Sequence, residues 1–169
     1  NPDISYLGHT VDQMIWSFME QEKIDGLTLA IVQAPYIPRV AGYGYSDSQR
    51  RRLASPNTMW PAGPISQAFA AVAVMQLHED GGLDVNRRAS VYIPELPDTW
   101  NDITVLQLLR HASGLPDYRR AAEFSPDTPW TFDALLQLAA RNPLHFVPGT
   151  EVEQSATNFL LLTEIVERV

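Results

Sequence analysis

The pattern of the sequence predicts an α+β fold: a small piece of antiparallel sheet followed by a mostly helical second half. Three features carry this. Residues 27–32 form an apolar, β-branched run, and residues 39–45 form a second strand-like run after a Pro-containing turn. From Pro64 onward the apolar residues recur at helical spacing, between segments punctuated by Gly and Pro.

In chain order, Leu7, Val11, Met14, Ile15, Phe18 and Met19 fall on one helical face, and Gly26 is expected to end that helix. The run at 27–32 reads as a strand buried on both faces. The turn Pro35-Tyr36-Ile37-Pro38 should join it to the second strand as a hairpin. Met59-Trp60 reads as a strand end leading into a Gly turn. A helix over residues 64–80 is predicted next, with Pro64 in the first position and Gly81-Gly82 past the end. It carries almost no charge from Ile65 to Leu77, so it is expected to be buried all round. Residues 91–97 make a short packed segment. Thr104 and Thr131 read as N-caps for helices over 105–111 and 132–141, and residues 155–169 form a last amphipathic helix. The expected division is a helix and two strands over 1–60, then the central helix and helical region over 61–169.

The composition narrows the function. A formal charge of −8 argues against nucleic-acid or anionic-membrane partners, and the single basic run, Gln49-Arg50-Arg51-Arg52, reads as a solvated loop. The 169 residues contain no Cys, hence no disulfide, thiol nucleophile or Cys-type zinc site, and no run of 18 apolar residues that would span a membrane. The start at Asn1 rather than Met suggests a processed or trimmed terminus. No cofactor or metal is expected. His78-Glu79-Asp80 point apart on a helix, His9 and His145 have no partner in the sequence, and residues 80–84 lack the ligands of a calcium loop.

Several phrases, in order, resemble the serine β-lactamase and penicillin-binding-protein superfamily, in its class C β-lactamase, D-peptidase and esterase branch. They are Gly63-Pro64-Ile65-Ser66-Gln67-Ala68-Phe69, then Leu108-Leu109-Arg110-His111-Ala112-Ser113-Gly114-Leu115, then Pro148-Gly149-Thr150 with Gln154-Ser155-Ala156. The resemblance implies a β-lactamase/transpeptidase-like fold whose C-terminal strands are absent from this chain. It also implies a periplasmic or secreted protein. The open edge of the first two strands would then be completed by another chain or by a missing C-terminal segment.

The resemblance places the family's nucleophilic serine at Pro64 and its lysine at Gln67. The family's tyrosine falls at Gln154, and the asparagine two residues on falls at Ala156. Proline supplies neither a hydroxyl nor an N–H for an oxyanion, glutamine is no base, and Gln154 has no ionisable phenol. The expectation is therefore a family member that has lost acyl transfer, without an intact catalytic residue. One alternative is a protein that binds a peptide, cell-wall fragment or β-lactam-like small molecule in the old cleft. The other is a hydrolase with Ser66 as a relocated nucleophile, although Ser66 has no Lys or His three residues on and reads as a helix N-terminal serine bonding locally. His111 with Ser113 suggests a base and nucleophile, but at the end of a helix the histidine is expected to cap carbonyls.

Overall fold

The computed structural model describes residues 5–6 and 9–169, which form two compact units, Asn1–Pro61 and Ala62–Val169. Leu7, at the start of the expected first helical face, lies outside the described residues.

In the first unit, β1 (Ser5–Tyr6) pairs with β2 (His9–Thr10), and α1 (Val11–Glu22) follows. Thr10 caps α1 through a reciprocal pair with Gln13, satisfying two backbone donors at once. The helix stops at Lys23, which adopts a left-handed conformation, three residues before the expected Gly26. Gly26 instead opens β3 (Gly26–Gln33), which runs antiparallel to β4 (Tyr36–Asp47), and β4 pairs with β5 (Arg52–Leu53). The predicted hairpin is present, with its turn at Ala34-Pro35 rather than over 35–38. The strand order β3-β4-β5 leaves one side of β3 unpaired among the described residues. Expected burial of the first strand on both faces is not found: Val32 is exposed and no residue from Gly26 to Val32 is fully buried, because an apolar run is enclosed only where other layers cover both faces of its sheet. Met19 and Tyr43 are the buried anchors here, with Trp16 set edge-on to Tyr43 at 5.8 Å. The Asp12 carboxylate accepts from the Tyr43 hydroxyl at 2.6 Å and from Arg39, which ties α1 to β4. Arg50 and Arg51 lie in an exposed turn, and Arg52, also exposed, opens β5. Met59-Trp60 belongs to no strand; Trp60 is fixed by its indole N–H donating to Thr28 Oγ1 at 2.9 Å.

In the second unit, a 3₁₀ turn (Gly63–Ile65) leads into α2 (Ser66–Glu79). Next come irregular segments around Ala89–Val91 and Asp98–Trp100, then α3 (Val105–Leu109), α4 (Phe132–Ala140) and α5 (Ala156–Arg168). The predicted caps are in place at Thr104, Thr131 and Ser155. α5 is the hub, packing against α2, α3 and α4. Its Leu161, Leu162 and Ile165 are fully buried with Trp100, Ile103 and Leu108. α2 departs from expectation: Val74 is its one fully buried residue, while Phe69 is 74% exposed and Ile65 69% exposed. Lack of charge signals an apolar helix but not a cover on every side; α2 packs against α5, and much of the rest of its surface is exposed.

Truncating Leu161 to alanine should cost about 2–5 kcal/mol of stability, since it removes fully enclosed apolar atoms and leaves a cavity. Met59→Ala, at a 95% exposed position, should change stability by less than about 0.5 kcal/mol. Urea denaturation of both variants checks the contrast.

Candidate functional site

The second unit contains a cavity of about 310 Å³ where the first turns of α2 and α5 face the segment after α3. Gly63, Pro64 and Gln67 contribute from one side. Gly63 has φ +52°, in the left-handed region that glycine enters without the Cβ penalty, and this turns the chain into the helix. Ala156, Phe159, Leu160 and Thr163 contribute from α5, at the i, i+3, i+4, i+7 spacing of one helical face. Tyr118 and Arg119 close the third side.

The α5 wall is positioned by a buried polar network. Ser113 Oγ accepts from the Leu115 N–H at 3.1 Å and donates to Asn158 Oδ1. Asn158 Nδ2 donates to His111 Nδ1 at 3.0 Å, and the Ser155 N–H donates to the same nitrogen at 3.3 Å. Two N–H donors on Nδ1 make it an acceptor, so the neutral ring carries its proton on Nε2. Thr157 Oγ1 donates to the Pro116 carbonyl and accepts from the Tyr118 N–H at 3.2 Å. Ser113, Thr157 and Asn158 are fully buried, and every one of these groups is satisfied within the network. Gly114, at φ +75°, passes so close to Phe146 that a Cβ would lie 2.3 Å from its carbonyl oxygen.

Asp117 fixes the third side. Its buried carboxylate accepts from the Arg119 N–H at 2.9 Å, from Arg119 Nε at 3.0 Å and from Arg119 Nη2 at 2.6 Å. Burial pushes the Asp117 carboxyl up, but the hydrogen bonds from the Arg119 side chain and backbone and from the Ala156 N–H outweigh it. The group is held below the usual carboxylate range. Burial likewise pushes the His111 imidazole below its ordinary value.

The structure thus brings Pro64, Gln67 and Ala156 together and leaves Gln154 exposed, outside the cavity lining. Ser66 is also exposed and outside it, and among the described residues its hydroxyl makes no hydrogen bond, so the expected local bond is not formed. The expectation that His111 caps carbonyls at the end of α3 is not met, because its Nδ1 accepts from Ser155 and Asn158. His111 adopts φ +55° and receives donors from residues far along the chain. Ser113 is committed to Asn158 and Leu115. His78 Nδ1 lies 3.0 Å from the Leu83 carbonyl, and His145 pairs with Glu153 at 2.7 Å. Among the described residues no group of three His, Asp or Glu side chains could hold a metal. No helix among them is long and apolar enough to cross a membrane. Sequence reasoning missed Tyr118, Arg119, Phe159, Leu160 and Thr163. The signal was available in the helical spacing from Ala156 and in the two polar residues that follow the Ser-Gly-Leu phrase.

This architecture is that of a β-lactamase/transpeptidase-like fold, and the sequence profile described as Beta-lactamase matches residues 11–169. The chain belongs to the beta-lactamase family. Among proteins it resembles is Protein flp of Staphylococcus aureus strain N315, 28% identical over 163 residues, which are 94% of this chain and 33% of that protein. A beta-lactamase of Providencia stuartii is 33% identical over 110 residues, covering 62% of this chain and 27% of that one. Among solved structures, the octameric penicillin-binding protein homologue from Pyrococcus abyssi superposes with a TM-score of 0.74 at 25% identity. It covers 93% of this chain and 38% of its own. A class C beta-lactamase superposes with a TM-score of 0.71 at 27% identity, covering 92% and 42%. The chain spans about a third of the length of the curated relatives it matches, 33% of Protein flp.

An NMR titration of the His111 ring should give a pKa below the ordinary value of about 6.5. With the folded value depressed, the unfolded state binds the proton first. Stability is therefore unaffected by this group above about pH 6.5 and falls as pH drops from there toward the folded pKa. A His111 resonance titrating at or above the ordinary value would contradict the buried, doubly donated geometry.

Proposed function

We propose that this chain is a β-lactamase-family protein that does not carry out acyl transfer. The observation that carries the reading is Pro64 in the cavity wall, at the slot where relatives are inferred to hold their nucleophile. A serine there would supply the attacking oxygen and one oxyanion donor. Loss of a donor alone costs about 10²–10³ in rate, and loss of the oxygen removes the covalent route. Gln67 and Ala156, beside it in the wall, cannot move a proton. The only lysine among the 169 residues is Lys23, which caps α1 in the other unit, so the lysine-activated serine of the family has no candidate base in this sequence.

The intact network behind the wall favours a second reading, that the cavity is kept as a non-catalytic binding site. The hydrogen bonds from Ser155, Thr157 and Asn158 to residues 111–118 hold a pocket that a purely relic surface would not need. We also infer that the unpaired side of β3 and the exposed face of α2 are covered by strands supplied from elsewhere, from another chain or a further segment. An exposed apolar strand edge is a template for aggregation.

Incubation with a chromogenic cephalosporin, a penicillin and a p-nitrophenyl ester should give no turnover and no mass increase, and Ser66→Ala should change nothing. Turnover, or an acyl adduct on any serine, overturns the proposal. For the open edge, sedimentation should show self-association or aggregation of the isolated 169 residues. A monomer unfolding in one cooperative transition contradicts that inference.

A further inference from the structure

Three polar side chains line the cavity beside its apolar wall: Arg119, Gln67 and Tyr118. Asp117 occupies one edge of the Arg119 guanidinium through Nε and Nη2, and among the described residues Nη1 makes no hydrogen bond. Because the carboxylate is buried and the guanidinium partly exposed, the arginine fork is fixed from behind and open on its outer edge. A fork held in this way loses little side-chain freedom when a ligand binds, and its planar donors match a carboxylate. Nearby in the lining, the Gln67 carboxamide and the Tyr118 hydroxyl also make no side-chain hydrogen bond among the described residues. The rest of the wall is apolar, with Pro64, Phe159 and Leu160. The volume of about 310 Å³ is at the small end of ligand pockets, which run from about 300 to 1,000 Å³.

We infer that the cavity is a non-covalent site for a small carboxylate with a compact aromatic or aliphatic body, anchored by Arg119. The carboxylate meets the outer edge of the guanidinium, Tyr118 or Gln67 donates to its second oxygen, and the apolar body lies against Pro64 and Phe159. Asp117 is a positioning residue, aligning the fork without touching the ligand. The inference rests on the reading of the cavity as a retained binding site. It differs from acyl-transfer chemistry in that no bond is made or broken.

The test uses these 169 residues, labelled with ¹⁵N, titrated by NMR with phenylacetate and, separately, with its uncharged isostere phenylacetamide. Phenylacetate should shift the resonances of Arg119, Ala156 and Phe159 saturably, and phenylacetamide should bind at least about tenfold more weakly, the size of a lost charge-assisted hydrogen bond. Arg119→Gln should abolish that preference, and Tyr118→Phe, which keeps the ring, should weaken phenylacetate by a smaller factor. Equal binding of acid and amide, absence of saturable shifts with the acid, or a preference that survives Arg119→Gln overturns the inference. Should Arg119→Gln fail to fold with Asp117 left unpaired, the comparison of acid and amide on the unsubstituted protein decides alone. β-Lactam turnover would overturn the non-catalytic reading while leaving carboxylate binding intact. Absent binding without turnover would overturn this inference and spare that reading.

Discussion

The second unit depends on the fastening of the first turn of α5 to the segment running from His111 to Arg119. A helix start leaves backbone N–H groups without partners, and here they are met by side chains and used to hold a loop. Ser155 donates to His111, Thr157 joins Pro116 and Tyr118, Asn158 bridges His111 and Ser113, and Asp117 reaches the Ala156 N–H. A buried polar network of this kind is stable only if every member is satisfied, which makes it an all-or-none fixture. It also explains why α5 rather than α2 is the centre of the unit: the apolar stripe of α5 faces the core while its polar first turn locks the cavity wall.

The cavity therefore has two layers of different chemistry. The rear layer is polar, buried and intact. The front layer, which lines the cavity, has a pyrrolidine ring at Pro64, a carboxamide at Gln67 and a methyl group at Ala156. None of these side chains strains the helix starts on which they sit: proline is favoured in a first helical turn, and Ala156 follows a well-formed serine cap.

Much of this was legible in the sequence. Caps at Thr104, Thr131 and Ser155 were readable because a hydroxyl before an apolar periodic run has one main use, and the hairpin because two β-rich runs flank a turn. The grouping of Pro64, Gln67 and Ala156 followed from phrase order. Burial was less legible. The uncharged length of α2 and the apolar run of β3 signalled enclosure, yet cover depends on partners that periodicity does not reveal. The role of His111 was also hidden, because its donors lie more than forty residues away, and local rules favoured a carbonyl cap. Gln154 was placed with the others by its position in a phrase, but the cap at Ser155 turns the chain there and leaves it outside.

Proline at the entrance to α2 has a consequence for what the cavity can offer. Its ring fixes φ and leaves the backbone nitrogen without a hydrogen, so the turn at Gly63-Pro64 brings one donor fewer to the cavity wall than any other residue there would. A polar guest must find its donors on side chains instead of on the helix entrance.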